Sequence, residues 1–233
     1  MKTTSLRVLG LAFLFQFVTS FSSGVLLQPV WLVTGDVAAT MTRIADNAGL
    51  MRANILLDML TALGVIFLGA MLFLALRKQS EKMALTALAF YILEGAVLAA
   101  SRADAFSLLR MSQEYVAAGQ PAYLEMMATV ALESMDFVGG TLHMLAFCFG
   151  AILFYYLLYK SAVVPRGLSL WGLITVLPCL AGTLLATFGY EAPFFIYLLY
   201  VPFEFVIGVW ILVKGTNEVQ KVQPSPVFAG EIR

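Results

Sequence analysis

Six stretches of this 233-residue chain are apolar over about 20 residues or more, and they restrict its fold more than any other feature. The hydrocarbon core of a bilayer accepts about 20 mostly apolar residues per helix, so each stretch can cross it. We number them spans 1 to 6 and predict them at residues 8–30, 54–76, 83–103, 127–159, 168–190 and 194–214. The predicted fold is an all-α, polytopic membrane helical bundle, with one transmembrane domain over residues 1–216 and a cytoplasmic tail over 217–233.

The composition argues against a soluble protein. Hydrophobic residues make up 61% of the chain and charged residues 12%, whereas soluble domains carry roughly 45–50% and about 25%. So few charged residues cannot cover a globule of this size in water. The 14 basic and 14 acidic residues balance, so the chain has no net positive charge to attract nucleic acid, and we expect no nucleic-acid partner.

Lysine and arginine are distributed unequally between the two sides of the predicted bundle. Ten of the 14 lie on the side that carries both termini: Lys2, Arg7, Arg77, Lys78, Lys82, Lys160, Arg166, Lys214, Lys221 and Arg233. The other side keeps four: Arg43, Arg52, Arg102 and Arg110. Because positive residues concentrate on the cytoplasmic side, we predict that both termini are cytoplasmic.

The two longer connections fall on the predicted outer side, and both have an amphipathic pattern. After Asp36, a predicted N-cap, apolar residues recur at helical spacing, and Gly49 provides a stop signal. We predict a short helix there that lies in the interface or caps the bundle. The second connection, about residues 104–124, is also predicted to be an amphipathic outer segment, with a break over residues 119–121 (Gly-Gln-Pro).

Ionisable side chains inside the spans are the candidate functional residues, because charges at membrane depth are costly. The six are Asp58 in span 2, Glu94 in span 3, Glu133, Asp136 and His143 in span 4, and Glu204 in span 6. On an α-helix Asp136 and His143 are about 20° apart. Two glycines between them, Gly139 and Gly140, allow another helix to approach closely. We expect most of these groups to line one cavity that opens to the outside and binds a ligand or a proton.

A purely structural interpretation of the same residues stays open. Arg52 and Arg102 stand at the outer ends of spans 2 and 3, where they can serve as charge partners of the outer acids without any chemistry. Glu94 and Glu204 have no nearby cation within the spans, so we expect both to be protonated and to donate hydrogen bonds between helices.

Motifs of the common catalytic sites are missing from the sequence. It contains no His-Glu-x-x-His helix, no Gly-x-Ser-x-Gly elbow and no glycine-rich phosphate loop. Its single histidine cannot form a multi-histidine zinc site. Cys148 and Cys179 lie in apolar runs, where thiols pack as small hydrophobic groups. The sequence therefore predicts no metal site, leaves the cofactor unknown and identifies no catalytic residue.

Several short motifs together carry a family resemblance. They are residues 35–40 (Gly-Asp-Val-Ala-Ala-Thr) followed by Ile44, Asn47, Leu50 and Arg52; Leu93-Glu94; residues 155–161 before 164–166; residues 171–173; and Glu204 followed by 209–215. With these motifs, residues 7–216 resemble a bacterial family of uncharacterised membrane proteins, domain of unknown function 4386. The resemblance implies six or seven helices and no established activity. This chain departs from the pattern of the family it resembles at Tyr91, where many relatives carry arginine.

Three functions remain open. We favour a non-enzymatic bacterial inner-membrane protein whose outward-facing cavity binds a small ligand, a lipid or a proton. The second hypothesis is an intramembrane lipid hydrolase that uses Glu133, Asp136 and His143. The third is an assembly or interaction subunit whose polar groups only hold helices together. The partners we expect are membrane lipids and either a second copy of the chain or another membrane protein.

Overall fold

A computed structural model describes residues 3–190, 193 and 195–215 as helices joined by short connections, with no strand among the described residues. Six helices are long and apolar enough to cross a membrane: Arg7–Trp31, Ala48–Leu76, Glu81–Ala117, Ala122–Ser161, Arg166–Thr187 and Phe195–Lys214. This confirms the predicted all-α bundle with six spans. The predicted tail, residues 217–233, lies outside the described residues.

Two of the six spans contain a turn of π-helix. In span 1 the helix Thr3–Phe21 continues through the π-helical turn Ser22–Leu27 into Gln28–Trp31. In span 4 the helix Ala122–Asp136 continues through Phe137–Leu142 into His143–Ser161. Span 6 consists of Phe195–Leu198 and Val201–Lys214, and span 5 contains an internal proline, Pro178.

The spans form a ring in chain order that span 6 closes against span 1. Span 1 approaches span 6 at Gly10, where a Cβ would lie 2.7 Å from the backbone nitrogen of Leu212. Inside the ring, the buried Tyr91 of span 3 lies against Gly69 of span 2 and Gly150 of span 4. These small residues let aromatic side chains and neighbouring backbones approach where no larger residue fits.

The connection between spans 1 and 2 contains a helix, Val37–Asp46, that begins as predicted. The side chain of Asp36 accepts a hydrogen bond from the backbone nitrogen of Ala39 at 2.8 Å. The predicted stop at Gly49 is wrong, because Gly49 lies in the first turn of Ala48–Leu76. The helix ends instead at Asp46. The next residue, Asn47, is its C-cap, and the side-chain amide of Asn47 donates to the carbonyl of Arg43 at 3.0 Å.

The connection between spans 3 and 4 is much shorter than predicted. Span 3 continues as one helix to Ala117 and span 4 begins at Ala122, so most of the segment predicted over residues 104–124 belongs to these two helices. The break itself lies where the sequence placed it, with Gly119 at a φ of +80°. Polar residues along the exposed faces of both helices made them resemble a separate outer segment.

The extended ends of spans 3 and 4 form a second packing unit with the helix Val37–Asp46. We call this unit the cap, and it comprises Val37–Asp46 with residues 105–117 and 122–135. Its hydrophobic core includes Trp31, Met41, Ile44, Leu108 and Leu124 and is distinct from the core inside the ring of spans. Span 3 has 37 residues, which corresponds to about 55 Å at 1.5 Å per residue. This exceeds the hydrocarbon thickness of about 30 Å, so the cap projects beyond it.

Candidate functional site

A polar cavity of about 310 Å³ lies among spans 1 to 4, directly beneath the cap. The π-helical turn of span 1 forms one wall with Ser23 and Gly24, and the π-helical turn of span 4 faces it with Gly139 and Gly140. Spans 2 and 3 form the remaining wall. Isolated π-helical turns often occur at functional sites, and here two of them border one cavity.

Asp58 of span 2 is the centre of a hydrogen-bond network that joins three spans. One of its carboxylate oxygens accepts a hydrogen bond from the hydroxyl of Ser23 in span 1. The other forms an ion pair with the guanidinium of Arg102 in span 3. The side-chain amide of Asn54 donates to the Ser23 hydroxyl and lies 3.4 Å from the second oxygen of Asp58. Both oxygens of Asp58 are therefore occupied by partners within the protein.

The same network connects the cavity to the cap. The indole nitrogen of Trp31 donates to the side-chain oxygen of Asn54 at 2.7 Å. Trp31 is only 2% exposed and belongs to the core of the cap. Because the amide of Asn54 is bound on both its nitrogen and its oxygen, it fixes the position of the cap relative to the ion pair.

Arg102 passes close to span 4 because that span has glycine at the crossing. A Cβ on Gly139 would lie 2.5 Å from Nη2 of Arg102 and 2.6 Å from Oγ of Ser101. The guanidinium also donates to Oγ of Ser101, from Nη2 at 2.8 Å and from Nε at 3.1 Å. Its positive charge is balanced by Asp58, so the pair contributes no net charge to the cavity.

Asp136 and His143 line the cavity on either side of the π-helical turn of span 4. Asp136 is exposed, and no described side chain pairs with its carboxylate; the one ion pair within the described part of the chain is that of Arg102 and Asp58. His143 is partly buried, and its Nδ1 is fully buried without a hydrogen-bond partner. The carboxylate of Asp136 can therefore bind a molecule from outside the protein, whereas both oxygens of Asp58 already have partners.

The remaining predicted site residues lie elsewhere. Glu133 is exposed on span 4 and does not line the cavity, and Arg52 is exposed with no carboxylate partner among the described residues. Glu94 is 5% exposed, and its Oε2 has no partner. Glu204 accepts a hydrogen bond from the hydroxyl of Tyr200 at 3.0 Å. The structure thus brings together Asp58, Asp136 and His143 with Arg102, and it does not bring Glu94, Glu133 or Glu204 to the cavity.

Glu204 belongs to a second polar cluster inside the ring of spans. The hydroxyl of Tyr200 is hydrogen-bonded to that of Tyr155 in span 4 as well as to Glu204. The rings of both tyrosines pack near Phe203, with centroids 4.9 Å and 5.6 Å from it. Sequence reasoning missed these tyrosines, because a tyrosine in an apolar run does not differ from an ordinary packing residue.

Sequence reasoning also missed Ser23 and Trp31. A signal existed only for Asn54, which lies one helical turn from Asp58 on the same face of span 2. Neither Ser23 nor Trp31 has such a relation, since both lie in span 1 and meet the network only after the spans have packed. Within the described residues, no three His, Cys, Asp or Glu side chains are grouped closely enough to hold a metal ion.

One comparison with known proteins gives a match over nearly the whole chain. The model of the family described as Domain of unknown function (DUF4386) matches residues 8–215, which include the cavity and the cap. This confirms the resemblance inferred from the sequence. Neither the curated proteins nor the solved structures provide a match.

Proposed function

The chain belongs to the family described as Domain of unknown function (DUF4386), and from this premise we propose that it is a non-enzymatic membrane protein that binds a ligand in the cavity among spans 1 to 4. The ligand is a small molecule or the headgroup of a lipid. We further propose that the membrane is the bacterial cytoplasmic membrane, that both termini are cytoplasmic and that the cap faces outward. The excess of lysine and arginine on the side of the termini supports this orientation.

One observation carries the proposal: the cavity holds polar groups that the protein itself does not satisfy. Buried polar groups normally have hydrogen-bond partners, and the ion pair of Asp58 and Arg102 follows this rule. The buried Nδ1 of His143 is an exception within the described structure, and the exposed carboxylate of Asp136 also has no side-chain partner there. A cavity of about 310 Å³ is at the lower limit of ligand pockets, which suits a small molecule or a headgroup.

The other two hypotheses gain less support from the geometry. A purely structural role explains the hydrogen-bond network of Asp58, which joins spans 1, 2 and 3, but it leaves Asp136 and His143 unused. The hydrolase hypothesis needs Glu133 beside these two residues, and Glu133 does not line the cavity. Neither alternative therefore accounts for the cavity as well as ligand binding does.

The test is native mass spectrometry of the protein purified in a mild detergent. We expect the wild-type protein to retain a bound mass that Asp136→Asn and His143→Ala lose at least tenfold. Glu133→Gln is the matched control, because Glu133 is an exposed acid of the same span outside the cavity, and this variant should retain the mass. Thermal unfolding of each variant verifies that it is folded. An empty wild-type protein, with all variants equally stable, would overturn the proposal in favour of an assembly role.

A further inference from the structure

The charge balance of the cavity constrains the chemistry of its ligand. Asp58 and Arg102 cancel each other, and both oxygens of Asp58 have partners inside the protein. Among the described lining residues, the carboxylate of Asp136 is the one charge without a counter-ion. With a neutral imidazole on His143, the cavity therefore carries one net negative charge.

A ligand that fills the cavity removes water from Asp136. A carboxylate that loses its hydration without a compensating charge is strongly destabilised. A cation placed against Asp136 offsets this cost, whereas an anion or a neutral group does not. His143 lines the cavity beside Asp136 and, as a neutral imidazole, adds no charge to it. The uncompensated charge of Asp136 thus favours a positively charged ligand.

Access to the cavity is from the side. The cap covers it from above, since Trp31 and Met135 belong to the core of the cap and also line the cavity. Spans 1 and 4 border the cavity without packing on each other, and no described residue of spans 5 or 6 lines it. Gly24 and Asp136 are exposed at the two edges of the gap between spans 1 and 4.

The surface beside this gap is apolar. Val25, which follows Gly24 on span 1, is 42% exposed, and Phe137, which follows Asp136 on span 4, is 46% exposed. Both are side chains suited to contact with lipid chains. A molecule that enters here has its polar part in the cavity and its apolar part in the bilayer, which is the arrangement of a membrane lipid.

We propose, on the basis of the ligand-binding function above, that the cavity binds the ammonium group of a lipid headgroup. Asp136 is its counter-ion, His143 lines the cavity beside it, and the acyl chains remain outside between spans 1 and 4. The same ammonium chemistry occurs in a free amine, and the apolar surface beside the gap favours the lipid. The volume agrees with this arrangement, because about 310 Å³ accommodates a headgroup and not two acyl chains.

The experiment adds defined lipids to the delipidated full-length protein and measures bound lipid by native mass spectrometry. The probes are phosphatidylethanolamine, phosphatidylglycerol, diacylglycerol and free ethanolamine. We expect phosphatidylethanolamine to bind at least tenfold more tightly than phosphatidylglycerol or diacylglycerol. Asp136→Asn should lose this preference, Asp136→Glu should keep it, and the exposed control Glu133→Gln should behave as the wild type.

Equal retention of the anionic and the ammonium lipid, or an unchanged preference in Asp136→Asn, would overturn the proposal. Binding of free ethanolamine as tight as that of the lipid would overturn the lipid source and leave ammonium recognition standing. If no probe binds but the protein retains another molecule that Asp136→Asn loses, this inference fails and the proposed function survives. If nothing binds under any of these conditions, both fail.

Discussion

At the scale of single residues, three acids of this protein have three different roles because their surroundings differ. Asp58 is buried and bound by Ser23 and Arg102, Asp136 faces the cavity without a partner, and Glu133 points away from it. Hydropathy and charge assign all three to the same class of intramembrane acid. Only the packing of spans 1, 3 and 4 around them separates a structural acid from a candidate binding residue.

The ion pair of Asp58 and Arg102 predicts that removing a buried partner lowers stability much more than removing an exposed charge. Asp58→Asn or Arg102→Met leaves one buried charge without its partner, and each should lower the free energy of unfolding by about 3–5 kcal/mol. The double variant removes both charges and should lose clearly less than the sum of the two single losses. Thermal unfolding in detergent measures all three variants.

Arg52→Met is the matched control for this cycle. Arg52 also lies near the end of a span, but it is exposed and has no carboxylate partner among the described residues. Its loss should change stability by no more than about 0.5 kcal/mol. Strictly additive losses of Asp58→Asn and Arg102→Met would show that the two side chains do not interact.

At the scale of the helix, the π-helical turn of span 4 determines how close span 3 can come. It places Gly139 against Arg102 and Ser101, while the neighbouring Gly140 faces the cavity. A regular α-helix through this segment would direct the two glycines differently, since the extra residue of a π turn shifts every side chain after it. The turn therefore combines close helix contact with an open cavity on the same span.

Gly139→Ala should consequently destabilise the protein, whereas Gly140→Ala should leave its stability nearly unchanged. A Cβ on Gly139 overlaps the guanidinium of Arg102, so it should disturb the ion pair and lower the free energy of unfolding by about 1–3 kcal/mol. A Cβ on Gly140 approaches only the carboxylate of Asp136, at 3.2 Å, and should leave stability within about 0.5 kcal/mol. Thermal unfolding again provides the measurement, and equal effects of the two variants would contradict this account of the turn.

The sequence predicts the number of spans because apolar length alone determines which segments can cross a bilayer. It also predicts the N-cap at Asp36, whose side chain acts on a backbone three residues away, and the break at Gly119. It predicts neither π-helical turn, because an apolar segment has the same composition in both helix types. It cannot choose between Arg52 and Arg102 as the partner of Asp58 either, since that choice depends on which helices become neighbours.

At the scale of the whole molecule, two hydrophobic cores divide the protein into a ring of spans and a cap. The cavity lies where they meet, with Trp31 and Met135 on the side of the cap. The hydrogen bond between Trp31 and Asn54 couples the two units at this boundary. A displacement of the cap would therefore change the geometry of the ion pair and the cavity before that of the rest of the ring.

The proposed orientation predicts which loops are accessible from each side of the membrane. Glu114→Cys places a thiol on the exposed surface of the cap, and Lys78→Cys places one in the connection between spans 2 and 3. A membrane-impermeant maleimide applied to right-side-out vesicles should label the first variant at once and the second only after permeabilisation. The native thiols, Cys148 and Cys179, are buried and should give little background. The reverse pattern would place the termini outside.

The close contact of span 1 with span 6 has a consequence for how the chain is assembled during synthesis. Gly10 meets the backbone of Gly208 and Leu212, so span 1 packs against a helix that is synthesised only after the other four spans. All three parts of the cap have been made by residue 136, long before span 6 exists. Because proteins are synthesised from the N-terminus and fold as they emerge, the cap can form while the ring of spans is still open. One flank of span 1 is then covered by lipid or by a chaperone until span 6 is made.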